Sequence, residues 1–232
     1  MSGRMSWSEI LESHMTSGSR LSQEHAVILY RDAPLHALRR AANQRRIEIN
    51  GDKQVTYLID RNINYTNVCT INCQFCSFYR PPGHEETYTQ TLDEISQRVK
   101  ELEEIDGTRI LMQGGVNPDL GIEYYSNLLK SLRNKHPSID LDCFSPIEIQ
   151  GMSEITGLET IEVLRALKEA GMHGLPGGGA EMLVEGVRRD VSPKKGGPAQ
   201  WIRIINQSDL ISVRVSIDLP TGVTEVEGEA DE

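Results

Sequence analysis

The chain has 232 residues, 38% hydrophobic and 25% charged, enough to bury one substantial core, as a single domain or as one domain with an appendage. Its net charge is −10, but Glu225, Glu227, Glu229, Asp231 and Glu232 crowd the C-terminus, so the body is only mildly acidic and nothing favours nucleic acid or an anionic membrane as partner. No apolar run approaches the ~20 residues of a membrane span, the N-terminus lacks a signal-peptide stretch, and free thiols without an export signal point to a reducing cytoplasm.

Residues 5–50 read as short helices, with Pro34 at a helix start and Leu38, Ala41 and Ala42 at helical spacing between Leu35 and Ile49. The β-branched and aromatic runs Val55–Asp60 and Asn62–Tyr65 read as strand, leading into Cys69-Thr-Ile-Asn-Cys73-Gln-Phe75-Cys76. Three thiols on one short loop can ligate three corners of a cubane iron–sulfur cluster and leave its fourth iron open for a substrate or cofactor. The alternative is zinc with a distant fourth ligand. Structural zinc favours ligands in paired spacings, and His14, His25, His36, His84, His136 and His173 supply no second pair. Pro81, Pro82 and Gly83 mark the end of the loop.

Strands and helices then alternate. Thr91 and Glu94 form a capping-box pair before Leu92, Ile95, Val99, Leu102 and Ile105, with Gly107 as the stop. Thr108–Met112 is a short strand ending in Gln113-Gly114-Gly115. Ile122, Tyr125, Leu128, Leu129 and Leu132 make an amphipathic helix that Pro137 ends. Ile139–Phe144 is a strand ending in Ser145-Pro146-Ile147-Glu148-Ile149. Thr156 and Glu159 form a second capping box before Ile161, Leu164 and Leu167, with Gly171 as the stop. Met172–Leu175 is a strand feeding Pro176-Gly177-Gly178-Gly179-Ala180-Glu181. After Lys195 come Gly196-Gly197-Pro198, a helical Trp201–Gln207, an alternating Ile211–Leu219 and the acidic tail.

Repeated βα units imply a parallel sheet with active-site loops at the C-terminal strand ends. The expected fold is α/β, a partial (β/α) TIM-type barrel. Its expected parts are an N-terminal helical segment (1–50), a barrel core (51–195) and a divergent C-terminal segment (196–232).

The cysteine loop resembles the signature of radical S-adenosylmethionine (SAM) enzymes, Cys-x3-Cys-x-aromatic-Cys, with Cys69, Cys73, Phe75 and Cys76 in the matching places. That resemblance implies a [4Fe–4S] cluster whose open iron chelates SAM, and reductive cleavage of SAM to methionine and a 5′-deoxyadenosyl radical. The segments LIDRNINYTNVC, FCSFYR, MQGGVNPD, FSPIEI, LPGGGAEML and SPKK are together similar to the cyclic dehypoxanthine futalosine synthase family of menaquinone biosynthesis. Aminofutalosine synthase and the FO synthase subunit are near relatives of that family. The resemblance implies cluster ligation by Cys69, Cys73 and Cys76, SAM contacts from Phe75 and Glu181, and a substrate-pocket place for Ser145. Gln113, Gly114 and Gly115 are further candidates for cofactor contact. It also implies a small nucleoside-derived substrate, an electron donor such as flavodoxin or ferredoxin, and a ring closure in which Glu148 is a candidate for removing the final proton. Ile147 departs from relatives, which often carry a second proline there.

Each of these residues has a plainer reading too. Gly107 and Gly171 suit turns that need φ > 0, whereas three consecutive glycines at 177–179 favour close backbone approach to a ligand. Glu181 suits either the first turn of a helix or an acceptor for SAM hydroxyls or ammonium. Ser145 suits a turn before proline, Phe75 can pack the loop, and Cys143 reads as a small buried hydrophobe. Beyond Lys195 the resemblance is expected to stop, as after a truncation or a shifted reading frame. An unfinished barrel would expose a hydrophobic strand edge and inner face, and with them poor stability and little turnover, so the competing reading is a non-catalytic iron–sulfur or metal-binding fragment.

Overall fold

Local capping chemistry starts several of the helices among the described residues. The computed structural model describes residues 5–51, 57–179 and 182–216, and the chain divides into two compact units, Met1–Tyr57 and Leu58–Glu232. In the first unit Ser6 accepts the Glu9 N–H at 3.3 Å and the Glu9 carboxylate accepts the Ser6 N–H at 2.7 Å, opening α1 (Trp7–Ser17). Ser22 caps α2 (Gln23–Asp32) by accepting the His25 N–H at 3.1 Å, and α3 (Leu35–Asn50) starts directly after Pro34. Ile10, Ile28 and Leu29 form this unit's small buried core.

The second unit runs β1 (Asp60–Ile63), α4 (Leu92–Glu103), β2 (Arg109–Met112), α5 (Ile122–Lys135), β3 (Asp140–Cys143), α6 (Pro146–Thr156), α7 (Thr160–Glu169), β4 (Gly174–Pro176), α8 (Glu185–Val191), α9 (Pro198–Leu210) and β5 (Arg214–Ser216). All four neighbouring strand pairs are parallel, and spatial order follows chain order. Parallel strands in sequence order with helical crossovers make the wall of a (β/α) barrel. Among the described residues that wall is five strands wide and unclosed.

Strand side chains alternate between two faces. Ile63, Ile110, Met112, Leu141, Cys143 and Leu175 are buried with Ile95 and Val99 of α4, Leu129 and Leu132 of α5, Leu164 and Leu167 of α7, and Ile204 of α9. The opposite face puts Asp60, Arg109 and Asp140 in register, with Asp142 level with Gly174 and Arg214. Arg109 pairs with Asp60 at 2.6 Å and Asp142 at 3.4 Å, while Arg214 pairs with Asp142 at 2.7 Å and Asp140 at 3.1 Å. An inner face that is merely hydrophobic is therefore the wrong expectation. Its N-terminal end carries a ladder of ion pairs, and inward-pointing charge opposes stray strand pairing. Arg214→Ala leaves the buried Asp142 carboxylate with its longer pair alone, and should cost about 2 kcal/mol in chemical denaturation. An unchanged denaturation midpoint would show that the ladder is energetically idle.

Several elements differ from expectation for identifiable reasons. Of the strand expected over Val55–Tyr65, residues 60–63 form β1, residues 57–59 and 64–65 lie outside it, and 55–56 lie outside the described residues. The Asn64 side chain donates instead to the Gln113 carbonyl at 3.1 Å as the chain turns into the cysteine loop. Ser145-Pro146-Ile147-Glu148-Ile149 is not a turn at the strand end but the start of α6, with Ser145 as N-cap and Pro146 at the first turn. The second capping box shifts accordingly. Thr156 ends α6 with its hydroxyl on the Met152 carbonyl at 2.6 Å, Gly157 takes φ 74°, and Glu159 caps α7 reciprocally with Glu162. Gly171 has the expected positive φ of 112°, but at the other turn Asp106, not Gly107, has φ above zero. Gly107 is favoured by packing instead, since a Cβ there would lie 2.8 Å from the Leu102 carbonyl oxygen. Past Lys195 the βα repeat continues through α9 and β5, and residues 217–232 lie outside the described residues.

Candidate functional site

Between β1 and α4 the chain leaves the sheet and returns along itself. Asn67 N–H donates to the Tyr88 carbonyl at 3.3 Å, Arg80 N–H to Asn67 at 2.7 Å, Cys69 N–H to Arg80 at 2.9 Å and Gln90 N–H to Tyr65 at 2.7 Å. Buried polar side chains brace this lobe. The Asn67 amide donates to the Glu86 carbonyl at 2.9 Å and accepts from Tyr88 N–H at 2.8 Å, and the Thr66 hydroxyl donates to the Tyr88 carbonyl at 2.8 Å. Cys69, Cys73 and Cys76 sit on the lobe, partly exposed and in no disulfide. Asn72 between them takes φ 56°, a left-handed conformation that asparagine tolerates better than most residues. The Gln74 side chain and backbone N–H each donate at 2.9 Å, to the carbonyls of Asp190 and Val191, which straps the lobe to the end of α8.

The end of β2 is the floor on which the lobe rests. A Cβ on Gly114 would fall 2.7 Å from the Tyr65 ring, and one on Gly115 would fall 2.1 Å from the Val68 carbonyl and 2.7 Å from Cys69 Cβ. Gly115 N–H donates to the Thr66 carbonyl and Thr70 N–H to the Val116 carbonyl, both at 3.1 Å, while Val116 N–H reaches Cys69 Sγ at 3.4 Å. The glycine pair is thus demanded by close approach of the cysteine loop itself. Burial pushes the Cys69 thiol up and nearby Cys73 adds to that, while the backbone N–H groups of Ile71, Val116 and Asn72 pull it down by favouring thiolate.

Behind this floor lies a buried carboxyl. Glu148, in the first turn of α6, accepts from the Tyr65 hydroxyl at 2.7 Å and Gly114 N–H at 2.9 Å on one oxygen, and from the Ser145 hydroxyl at 2.7 Å on the other. Burial pushes its pKa up to about 7, and the hydrogen bonds from Ser145, Tyr65 and Gly114 work against that shift. The Tyr65 ring is itself buried edge-on against Tyr125 and Phe144, at 5.9 and 5.8 Å between centroids. Burial and the neighbouring Glu148 raise the Tyr65 hydroxyl well above its ordinary range.

The remaining candidates are scattered around this centre. Phe75 is exposed, with the Lys195 ammonium 5.0 Å from its ring centroid. Ser145 is buried, and its hydroxyl is occupied by the helix cap and Glu148. In the glycine-rich turn after β4, Gly179 has φ 100°, and a Cβ on Gly178 would lie 3.0 Å from the Gln113 amide nitrogen. The Gly178 carbonyl accepts from the Trp201 indole at 3.0 Å. Buried Arg188 donates to the Gly179 carbonyl, and to those of Met182 at 2.9 Å and Gly196 at 2.7 Å. Glu181 lies outside the described residues. Cys143 is fully buried in β3, as expected of a small hydrophobe.

A family model described as the radical SAM superfamily matches residues 63–230, which takes in the whole cysteine loop and four of the five strands. The chain belongs to the radical SAM superfamily. That superfamily in general uses a [4Fe–4S] cluster with SAM. Three soft thiols on one braced lobe, partly exposed, with backbone N–H groups held at the Cys69 sulfur, are a donor set that fits such a cluster. Among the described residues no three His, Cys, Asp or Glu side chains converge as ligands of one ion.

Among curated relatives, the chain is 40% identical to cyclic dehypoxanthine futalosine synthase of Halalkalibacterium halodurans over 95% of its length, and 36% identical to that of Streptomyces coelicolor over 92%. It spans 60% and 54% of those relatives' lengths. It is 35% identical to FO synthase of Streptomyces avermitilis over 88% of its own length and 24% of that protein's. The fold is also that of HydG, a maturase of the [FeFe]-hydrogenase, with TM-score 0.72 at 19% identity over 91% of this chain and 45% of that one. The likeness therefore does not stop at Lys195, because the family match continues to residue 230.

Sequence reasoning named the thiols but missed what holds them. Asn67, Asn117 and Thr66 are buried polar residues around the lobe, and only their amide-rich setting in NYTN and VNPD hinted at bracing. The sulfur-directed N–H of Val116 has no side-chain signal at all.

Proposed function

We propose that this chain carries the cluster- and SAM-binding part of a radical SAM cyclase that converts dehypoxanthine futalosine to its cyclic form in menaquinone biosynthesis. The observation that carries the reading is the Cys69–Cys73–Cys76 lobe at the C-terminal end of β1, in a chain 40% identical to such a synthase. When bound, the cluster and SAM supply one-electron reductive cleavage of the sulfonium, and with it a radical able to take hydrogen from an unactivated carbon. Cys69, Cys73 and Cys76 would hold the cluster, Phe75, Glu181 and the Gln113–Gly115 turn would contact SAM, and Ser145 would border the nucleoside-derived substrate. Glu148, the candidate for taking the final proton, is buried with both oxygens accepting hydrogen bonds from Tyr65, Gly114 and Ser145, so its geometry does not favour that role. The electron comes from a small carrier such as flavodoxin or ferredoxin, and the setting is cytoplasmic. No helix among the described residues is long and apolar enough to cross a membrane.

The similarity to FO synthase favours a second reading, a radical SAM enzyme of the FO synthase or aminofutalosine synthase type. Anaerobic reconstitution should give ~4 iron and ~4 sulfide per chain, and dithionite with SAM should release 5′-deoxyadenosine. Adding dehypoxanthine futalosine should then yield a product lighter by a hydrogen pair in mass spectrometry. Deoxyadenosine without that product would sink the cyclase reading and keep the second. Zinc in place of iron, or a cluster retained after Cys73→Ala, would sink both.

A further inference from the structure

Three strand ends meet on one buried side chain. Tyr65 follows β1, Gly114 follows β2 and Ser145 follows β3, and the Glu148 carboxyl bonds all three at 2.7, 2.9 and 2.7 Å. A buried glutamate is uncommon unless fully partnered, and α6 does not need this one, because the Ser145 hydroxyl already caps it. The contacts lead instead to the cysteine lobe. On one side the Tyr65 carbonyl accepts the Gln90 N–H at 2.7 Å, where the lobe closes on itself. On the other side Gly114 begins the floor in which Gly115 abuts the Val68 carbonyl and Val116 N–H reaches the Cys69 sulfur.

We propose that Glu148 is a positioning residue for the cysteine loop, clamping Tyr65 to Gly114 and so fixing where Cys69 stands relative to Cys73 and Cys76. The inference rests on the radical SAM reading of that loop, yet it concerns residues of the chain and is testable without a cluster. A carboxyl that only stabilised the core would loosen all three cysteines alike when removed. A clamp acting through Tyr65 and Gly114 loosens Cys69 selectively, because Cys69 is the cysteine packed against the glycine floor.

The test is anaerobic alkylation of the reduced, metal-free protein with iodoacetamide, with rates mapped to each cysteine by mass spectrometry. Glu148→Ala should accelerate labelling of Cys69 on the order of tenfold, as expected when a buried hydrogen-bond acceptor is lost and the segment opens locally. Cys73 and Cys76 should label as in the wild type. Glu148→Gln keeps an acceptor oxygen for Tyr65 and Gly114 and should stay close to wild type. Tyr65→Phe removes one clamp hydroxyl and should give a smaller acceleration at Cys69. After reconstitution, the Ala variant should show an altered electron paramagnetic resonance spectrum of the reduced cluster, and the Gln variant should restore it.

Wild-type labelling of Cys69 in both Glu148→Ala and Tyr65→Phe, with native circular dichroism, overturns the proposal. So does equal acceleration at all three cysteines. If Glu148→Ala fails to fold, Tyr65→Phe decides alone, with faster Cys69 labelling in favour and wild-type labelling against. Failure of the wild type to take up iron would instead strike the radical SAM reading, while the alkylation rates would still decide the clamp.

Discussion

Gly115→Ala is expected to leave a protein that cannot hold iron. The methyl group would sit 2.1 Å from the Val68 carbonyl oxygen and 2.7 Å from Cys69 Cβ, and a backbone oxygen cannot swing aside as a long side chain would. Either the lobe lifts from the floor or the end of β2 bends. Both moves break the Gly115–Thr66 and Thr70–Val116 hydrogen bonds and draw the Val116 N–H away from the Cys69 sulfur. Overpacking alone costs about 1–3 kcal/mol, and each lost hydrogen bond adds about 1 kcal/mol. Thermal unfolding should report that loss, and reconstituted iron should fall far below the ~4 per chain of an intact cluster. Full iron loading together with a wild-type melting temperature would mean that the glycine floor is not what sets the cysteine loop.

Stability should also decline as pH rises toward neutrality, because of Glu148. Its pKa is about 7 in the folded chain against an ordinary value of 4.5, so the folded state binds the proton more tightly than the unfolded one. The associated stabilisation is complete below 4.5 and is lost as pH climbs through the folded-state value. The shift corresponds to about 3 kcal/mol across that window. Glu148→Gln has no proton to lose there, and urea denaturation from about pH 5 to about pH 8 should show its curve flattened relative to wild type. Burial and Arg133 lower the pKa of His173, which gives an opposite slope in the same region, but both proteins share it. The difference between the two curves therefore isolates Glu148. Parallel curves would refute the assignment of a neutral-range carboxyl to this position.

Much of the architecture was legible because its signals are local. The capping box at Thr91 and Glu94, the Pro34 helix start and the apolar faces of α4, α5 and α7 follow from spacing over a few residues. Where a residue had two local uses, the reading failed. Thr156 looked like a cap but spends its hydroxyl on the Met152 carbonyl, and Ser145-Pro146, read as a turn at the strand end, opens α6. The charged ladder of Asp60, Arg109, Asp142 and Arg214 is likewise invisible along the chain, because its members are far apart in sequence and only strand register aligns them.

The amino-acid sequence alone put three thiols on one loop after the first strand, at a spacing that suits a cluster, because the chemistry of soft thiolates and their spacing are properties of a few consecutive residues. It also determined the alternation that makes the fold a βα wall. Only the tertiary structure decided why Gly114 and Gly115 must lack side chains, which backbone donors face Cys69, and that Glu148 joins three strand ends. The decisive contacts, Tyr65 and Gly114 on Glu148 and Val116 on Cys69, join residues 83, 34 and 47 apart in sequence, set by strand register and core packing, which no local pattern encodes.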